Sequence, residues 1–423
     1  MKNRNLIPLL SIFILLLTNN LFGQQVPEQY VKSNIKQISS IDPNASETQE
    51  FQLLEKAIGN ARVVMLGEQD HGDANTFLAK RRIIQYLHEK MGFNVLAFES
   101  DYFSLNQGWD RQPRDSAKIV SFLRGNIFAL WPYCVAAAPL FNTYIPQSQR
   151  SARPLEITGF DNQMVLAFSA ASMKRLLDSV FKKWELPVTK EANYSQYLAS
   201  LDSLRLSYGN LKVPASNYKR WQERFQRMRD ELGKVLPAQD YWVTVLDNLL
   251  SEIVSFQLDE NSQLAKRSRD HQMAANLLWL TQHKYANEKI IVWAANYHVA
   301  RYSDSISPKR HLYTMGHVFS QFADAPKAYI LGFNSYSGRA GRLGGKSYNI
   351  PEPRKNSFEN WIPADWAYAF IDFSSFPDRH NEKGVKFFMK GLGHMSFETN
   401  WQHYYDGVFF IREMTSCLQK KSD

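Results

Sequence analysis

Cysteine is nearly absent from the 423-residue chain, which contains only Cys134 and Cys417. Two cysteines cannot build the disulfide framework that stabilises small secreted domains, and their spacing matches no CxxC or zinc-ligand pattern. With 44% hydrophobic and 13% aromatic residues, the chain instead has enough apolar surface to bury a large core. A single bridge between the two cysteines is compatible with the sequence, which does not decide whether it forms.

Two common catalytic motifs are also missing. The chain has no GxSxG sequence, the mark of a nucleophilic serine in many hydrolases, and neither cysteine lies beside a plausible base. It has no HExxH sequence, so the strong spacing of zinc ligands is absent. Covalent catalysis is therefore disfavoured. A metal site stays open as an alternative, because ligands can come from distant segments.

Long apolar runs and blocks of basic residues are scarce as well. The formal net charge of +9 is spread along the chain, which argues against a nucleic-acid partner. An apolar run at residues 6–17 follows Lys2 and Arg4, and it is too short for a typical membrane span. Residues 1–23 are therefore predicted to be a signal peptide. The protein is expected to be exported, either periplasmic or secreted, without stable membrane insertion after cleavage.

Residues 24–423 alternate strand-like and helical patterns. Two apolar strands and the helical pattern between them, from Ala74 to Met91, predict a βαβ unit with parallel strands at residues 61–100. The strand candidates are ARVVMLGE, FNVLAFES, LEITGFD, KIIVWAANYHV, AYILGF, AYAFIDF and YDGVFFI. We predict an α/β fold with a mixed, largely parallel central sheet flanked by helices. A long helical insertion at about residues 163–287 is expected to form either a lid over a sheet edge or a peripheral bundle.

Polar residues follow four of the predicted strands. In open α/β sheets, ligands bind at the carboxyl ends of the parallel strands. Glu68 and His71 follow the first strand, Glu99 follows the second, and Asp161 follows the third. Asn296 and His298 follow the fourth. Each residue has an ordinary structural explanation by itself, and Asp73 is a good N-cap for the helix that begins at Ala74. Four strand ends of the same character nevertheless favour one shared site.

Two cations stand where an apolar residue is expected. The first predicted helix has an apolar stripe formed by Phe77, Ile84, Leu87 and Met91. Lys80 falls near the centre of this stripe, and Arg82 points almost the opposite way. Arg269 interrupts an apolar stripe in RSRDHQMAANLLWL in the same manner. A buried cation is costly unless it is paired, so Lys80 is expected to pair with Glu68 or Glu99 or to bind substrate. The alternatives are a lysine that snorkels to solvent and an interhelix salt bridge of Arg269.

An imidazole beside two carboxylates suits general-base chemistry. His71, oriented by Glu68 or Glu99, can remove a proton from water, which then attacks a carbonyl carbon. One alternative is a metal-dependent hydrolase with Glu68, His71, Glu99 and His298 as ligands. The other is a non-catalytic binding protein, whose pocket would be lined by aromatic residues such as Trp131, Trp293 and Tyr297.

The order of these motifs resembles that of the erythromycin esterase family. The similar segments are LGEQDHGD, FNVLAFES, ITGFD, RDHQMAANLLWL, VWAANYHV and SFENWI, which cover most of residues 24–423. The resemblance implies a metal-independent ester hydrolase with a helical excursion and a deep cleft. By this resemblance, Glu68 and His71 match the glutamate and histidine of the family's GExxHG motif, and Glu99 matches its downstream glutamate. Arg269 matches the family's arginine, and His298 matches its last histidine.

Two positions depart from the family pattern. Lys80 stands where the family often has an arginine, which keeps the charge and loses the bidentate fork. Ala295 stands where the first histidine of WAHNxH is expected, so a group that could orient the substrate is missing.

The sequence therefore predicts an exported hydrolase that cleaves a small-molecule carboxylic ester or lactone without a metal or other cofactor. His71 is the expected base, and Glu68 and Glu99 are the carboxylates that orient it and position water. The expected substrate contacts are Lys80, Arg269, His298, Asn296 and Asp161.

Overall fold

The computed structural model describes residues 26–419 apart from 47, 209–212, 258–262, 302–304, 308–309, 312, 378 and 380–383. The predicted signal peptide at residues 1–23 lies outside these residues. Within the described ranges, no helix is both long enough and apolar enough to cross a membrane.

A mixed sheet forms the centre of the molecule. The strands in chain order are β1 Lys36–Ile38, β2 Val63–Leu66, β3 Val95–Asp101, β4 Glu156–Asp161, β5 Ile290–Trp293, β6 Ser305–Ser307, β7 Arg310–His311, β8 Ala328–Ala340, β9 Tyr348–Asn349, β10 Tyr368–Asp372, β11 Phe387–Met389, β12 Phe397–Thr399 and β13 Gly407–Met414. The spatial order in the central sheet is β1-β10-β13-β8-β2-β5-β3-β4, with β9 paired to β8. From β13 to β4 every neighbouring pair is parallel, and β1 and β10 add antiparallel pairings at the other edge. The predicted mixed, largely parallel sheet is therefore confirmed.

Helices cover both faces of this sheet. They are α1 at residues 26–34, α2 Phe51–Ile58, α3 Ala74–Met91, α4 Ser116–Asn126, α5 Ile145–Ser148, α6 Ala167–Lys183, α7 Tyr194–Leu206, α8 Ala215–Leu232, α9 Tyr241–Gln257, α10 Gln263–Trp279, α11 Asn296–Val299, α12 Met315–Gln321 and α13 Trp401–Tyr404. Short π-helical turns lie at Ser104–Gly108, Leu140–Tyr144 and Leu280–Lys284, and 3₁₀ turns at Pro187–Lys190 and Phe358–Trp361.

Alternate residues of the central strands enter two different cores. Val64 and Leu66 of β2 pack on the side of α3, whereas Val63 and Met65 pack on the side of α10. A strand buried on both faces has no need of polar alternation, which explains the continuous apolar runs in the sequence. Burial on both faces also fixes the position at which each strand ends, and therefore the position of the residues that follow it.

The helical insertion is attached to the sheet through α10. Met273 and Leu277 of α10 pack with Phe160 of β4 in the same core as the sheet. Helices α6 to α9 form a further core of their own with Tyr102 and Phe103, which directly follow β3. The insertion is therefore continuous with the main core, and α10 brings Arg269 to the carboxyl ends of the strands.

The first predicted helix has the predicted bounds, Ala74–Met91, and Gly92 follows it in the left-handed conformation, with φ 72°. The prediction for Arg82 is incomplete, because the face opposite the stripe is also covered. Arg82 is only 3% exposed, and its guanidinium lies 4.7 Å from the ring centroid of Phe51 and 2.6 Å from Glu50.

Three details of the strand predictions were wrong or incomplete. β2 and β3 are parallel, but they are not neighbours, because β5 lies between them. Glu99 and Asp161 lie inside β3 and β4 rather than after them. The fourth predicted strand ends at Trp293, and its last residues form α11.

Cys134 and Cys417 are joined by a disulfide bond, with their Cα atoms 5.5 Å apart. This pairing answers the question that the sequence left open. The bond ties the C-terminal segment to the loop that follows α4.

Candidate active site

The loops after β2 and β5 are held together by backbone contacts. The backbone N–H of Asn296 donates to the carbonyl of Glu68 at 2.7 Å, and that of Ala294 donates to Leu66 at 3.2 Å. Because β2 and β5 are parallel neighbours, their carboxyl ends meet at the same sheet edge. The structure therefore brings the segment of Glu68 and His71 beside that of Asn296 and His298.

Glu68 is a fully buried carboxylate with three donors. Its Oε1 atom lies 2.7 Å from Nδ1 of His71 and accepts a hydrogen bond of 3.0 Å from the indole of Trp131. Its Oε2 atom accepts from Nζ of Lys80 at 2.6 Å. A buried carboxylate with this set of partners is held rigidly, and it fixes the position of the imidazole.

The orientation of His71 follows from its contact with Glu68. A carboxylate that already accepts from Lys80 and Trp131 acts as an acceptor towards the imidazole too, so Nδ1 carries the proton. Nε2 then holds the lone pair, and it has no hydrogen-bond partner among the described residues. The ring packs edge-on against Trp131, with centroids 5.6 Å apart, and its side chain is 15% exposed. His71 thus combines a fixed tautomer with an accessible basic nitrogen.

Lys80 is paired with Glu68, which was one of the arrangements expected from the sequence. Its side chain is fully buried, and Nζ also donates to the carbonyl of Ala294 at 3.3 Å and lies 4.4 Å from the ring centroid of Trp293. Burial lowers the pKa of Lys80 from 10.5 to about 8, although the charge of Glu68 opposes this change. The alternative role as a substrate contact is therefore not supported by the geometry.

Glu99 and Asp161 both bind Arg269. The guanidinium forms a bidentate pair with Asp161, at 3.1 and 2.7 Å, and donates to Oε1 of Glu99 at 3.0 Å. The second oxygen of Glu99 accepts the backbone N–H of Ala295 at 3.0 Å. Burial alone would raise the pKa of Glu99, but His298, His71, Arg269 and this N–H outweigh it and hold the pKa at about 2.

His298 is held between two carboxylates. Nδ1 lies 2.7 Å from Asp270 and Nε2 lies 3.2 Å from Glu99. Burial favours the neutral ring, but Asp270 and Glu99 outweigh burial and raise the pKa of His298 above its ordinary value. Nη1 of Arg269 lies 3.2 Å from the same Nε2 atom, so Arg269 and His298 share the Glu99 carboxylate. The side chains of Arg269 and His298 are 22% and 11% exposed, so both retain a surface that can contact a substrate.

The side chain of Asn296 is committed to the backbone. Its amide nitrogen donates to the carbonyls of Phe333 and Gly391, at 2.6 and 2.7 Å, and its oxygen accepts from the N–H of Phe333 at 3.0 Å. Asn296 is fully buried. It therefore connects three segments of the chain, and Asp161, equally buried, positions Arg269 instead of contacting a substrate directly.

Asp73 occupies the N-cap position of α3, but its side chain forms no capping hydrogen bond. One oxygen accepts the backbone N–H of Asp70 at 2.9 Å, and the other lies 3.1 Å from Nε2 of His394. Gly72 is required by close packing, because a Cβ atom there would lie 2.1 Å from the carbonyl oxygen of Gly341. The backbone that lies close to Gly72 therefore belongs to the chain's own residue Gly341.

Sequence reasoning missed the roles of Trp131, Asp270 and His394. Trp131 was expected only as a pocket aromatic, and Asp270 lies beside Arg269 without a pattern of its own. His394 also lies 3.3 Å from Ser335, which together with Asp73 makes a serine–histidine–aspartate chain. The Ser335 hydroxyl is fully buried and donates to Gln69 at 2.7 Å, so this chain has the composition of a catalytic triad without an accessible nucleophile.

The metal alternative finds no ligand group among the residues that the structure describes, where no cluster of three or more histidines, cysteines and acids has metal-binding geometry. The oxygens of Glu68 face N–H and ammonium donors, and those of Glu99 face a guanidinium and a backbone N–H. The acids of the site are therefore already neutralised by the chain's own donors.

Comparison with known proteins gives a consistent set of matches. A model of the family described as erythromycin esterase matches residues 88–414, a range that includes Glu99, Arg269 and His298 and begins after Glu68 and His71. The provisionally named hydrolase YbfO of Bacillus subtilis (strain 168) is 24% identical over 406 residues, which are 89% of each chain.

Two solved structures share the fold. A histidine-to-asparagine mutant of the erythromycin esterase EreC in its open conformation is 16% identical with a TM-score of 0.71, over 90% of this chain and 98% of that one. A succinoglycan biosynthesis protein is 18% identical with a TM-score of 0.70, over 94% of this chain and 99% of that one. At these identities the likeness shows the fold alone.

Proposed function

The chain belongs to the erythromycin esterase family, and we propose that it cleaves a carboxylic ester or lactone by attack of a water molecule that His71 activates. Family membership and the name of the Bacillus subtilis relative support a hydrolase that acts on a small molecule. The observation that carries the proposal is the arrangement of His71, whose Nδ1 atom is fixed by buried Glu68 while Nε2 is free of partners among the described residues.

The reaction begins when Nε2 of His71 accepts a proton from water. The water oxygen forms a bond with the carbonyl carbon, and the carbonyl oxygen becomes an oxyanion. Glu68 stabilises the imidazolium that results, just as a buried carboxylate does in other oriented histidine bases. Collapse of the tetrahedral intermediate breaks the bond to the alcohol oxygen, which takes the proton back from His71. A lactone opened in this way yields one hydroxy acid.

Arg269 supplies positive charge for the oxyanion, and His298 lies beside it as the second expected contact. Both are partly exposed, and both are fixed by carboxylates: Asp161 and Glu99 for Arg269, and Asp270 and Glu99 for His298. Donors that are fixed in advance stabilise a developing charge without paying for reorganisation during the reaction.

The proposal includes no metal, and chelation tests this point. Activity is expected to persist after prolonged dialysis against a chelator, with elemental analysis to verify removal. Loss of activity that returns with zinc or manganese would support the metal-dependent alternative.

Replacement of His71 tests the base directly. His71→Ala is expected to reduce turnover of acyl esters and lactones by at least about a hundredfold, within the range for loss of a general base. His88→Ala is a suitable control, because His88 is a buried histidine bonded to Tyr144 and the Arg153 carbonyl, in the same helix region but away from Glu68. Full activity of His71→Ala refutes the assignment, and tight binding without turnover in the unmodified protein favours a binding function.

We also propose that the protein works outside the cytoplasm. The Cys134–Cys417 disulfide supports this location, since such bonds persist in oxidising compartments. Detection of the mature protein in a periplasmic or medium fraction, with residues 1–23 removed, is the expected result. An uncleaved cytoplasmic protein would contradict it.

A further inference from the structure

One loop contacts residues of the site but has none of the catalytic roles described above. This segment, residues 390–394, follows β11 and has the sequence KGLGH. Its backbone and one of its side chains reach both histidine-bearing segments of the site.

The first set of contacts holds the segment of His71. The side-chain amide of Gln69 donates to the carbonyls of Lys390 and Gly393, at 2.7 and 3.0 Å. Nε2 of His394 lies 3.1 Å from Asp73, and Asp73 in turn accepts the backbone N–H of Asp70 at 2.9 Å. Gln69 and Asp73, two positions before and after His71, are therefore held by the 390–394 loop.

The second set of contacts holds the segment of His298. The carbonyl of Gly391 accepts from the side chain of Asn296 at 2.7 Å and from the hydroxyl of Tyr405 at 2.8 Å. Asn296 is the first residue of α11, the short helix that contains His298. One loop thus contacts the segments of both histidines, although it contains none of the residues that touch the reacting atoms.

We propose that the 390–394 loop is a positioning element for this site, and that His394 orients His71 by holding Asp73. The inference rests on the proposed role of His71. His394 is 6% exposed and Asp73 is fully buried, so water does not replace their hydrogen bond at low cost when it is removed. Without that bond Asp73 turns away from Asp70, the turn loosens, and Nδ1 of His71 loses its fixed alignment with Glu68. Misplacement of a catalytic group by about 1 Å reduces rate by up to about a hundredfold.

Two polar variants of His394 separate positioning from general stability. In His394→Gln the side-chain amide reaches the position of Nε2 and keeps a donor for Asp73. In His394→Asn the amide reaches only the position of Nδ1, so the contact with Ser335 is kept and the one with Asp73 is lost. Both variants bury an amide in the same site, so they differ only in the contact with Asp73 and in one methylene group. His88→Gln controls for loss of a buried, doubly bonded histidine elsewhere.

The primary readout is independent of turnover. In protein with ¹⁵N-labelled histidine, the Nδ1–H of His71 that is bonded to Glu68 gives a low-field proton signal, assigned by its absence in His71→Gln. We expect this signal to persist in His394→Gln and His88→Gln and to be lost or broadened in His394→Asn. An unchanged signal in His394→Asn overturns the inference, as does its loss in all three variants.

Kinetics provide the second readout. With any ester that the unmodified protein cleaves, His394→Asn is expected to lower kcat by roughly ten- to a hundredfold with KM changed less than about threefold. His394→Gln is expected to retain most of kcat. Equal kcat values for the two variants overturn the inference. Absence of turnover in the unmodified protein refutes the proposed function, and the proton signal still decides the positioning role.

Discussion

Replacing Lys80 with arginine is expected to extend activity to higher pH. Lys80 neutralises Glu68 from a fully buried position, and its pKa of about 8 means that it loses its charge at mildly alkaline pH. The neutral amine no longer balances Glu68, whose uncompensated charge then disturbs the hydrogen bond to His71. Arginine stays charged throughout this range, so the alkaline decline in kcat near pH 8 should disappear in Lys80→Arg.

The lowered pKa of Lys80 has the opposite effect on stability, which should increase at alkaline pH. The pKa of Lys80 is about 8 in the folded chain and 10.5 when unperturbed, so the unfolded chain holds more protons between these values. Stability from this group therefore rises as pH rises from 8 to 10.5, and the separation corresponds to about 3 kcal/mol. Lys80→Arg lacks this rise. It also costs about 1–3 kcal/mol at all pH values, because the larger side chain overpacks a full site.

Two measurements on the same proteins check this reasoning. The pH dependence of kcat is compared for the unmodified protein, Lys80→Arg and Lys284→Arg, and urea unfolding is followed from pH 7 to 10.5. Lys284 is a suitable control, because burial also lowers its pKa while its partners are Asp110 and Asn106 instead of Glu68. An alkaline limit that stays near pH 8 in Lys80→Arg would refute the role assigned to Lys80, as would equal pH dependence of unfolding in all three proteins.

Three further predictions concern an acid, the disulfide and the buried serine. The pKa of Glu99 is lowered from 4.5 to about 2, so its contribution to stability is complete above pH 4.5 and is lost between pH 4.5 and 2. The free energy of unfolding of Glu99→Gln should therefore be about 3 kcal/mol lower at pH 7, and the difference should vanish near pH 2. Reduction of the bond between Cys134 and Cys417, which are 283 positions apart, should lower the free energy of unfolding by about 2–5 kcal/mol in urea titrations; an unchanged midpoint would contradict this. A fluorophosphonate should leave the intact mass unchanged, because Ser335 is fully buried; an adduct on Ser335 would contradict water activation by His71.

Local sequence patterns predicted the parts of the fold that depend on neighbouring residues. The bounds of α3 followed from its apolar period, and the buried strands followed from their uninterrupted apolar runs. The burial of Lys80 also followed from helical geometry, since its direction from the helix axis is fixed by its position in the stripe. Its partner Glu68 was one of two candidates, because both acids were expected at the same sheet edge.

Contacts between distant segments could not be predicted in this way. His394 and Asp73 are 321 positions apart, and no local period relates them. The position of β5 between β2 and β3 depends on the order in which strands pair, which the sequence of a single strand does not encode. The commitment of Asn296 to three backbone groups was missed for the same reason, because its partners come from β8 and from the 390–394 loop.

The strand order has a consequence for synthesis of the chain. β2 pairs with β5 on one side and with β8 on the other, so both of its neighbours lie more than 220 positions later in the sequence. A ribosome-bound chain shorter than 290 residues offers no partner to Val63–Leu66, whose N–H and C=O groups stay unsatisfied by the native sheet. The native environment of Glu68 therefore cannot form until β5 and β8 have been synthesised, and until then the early apolar strands have exposed edges that favour aggregation.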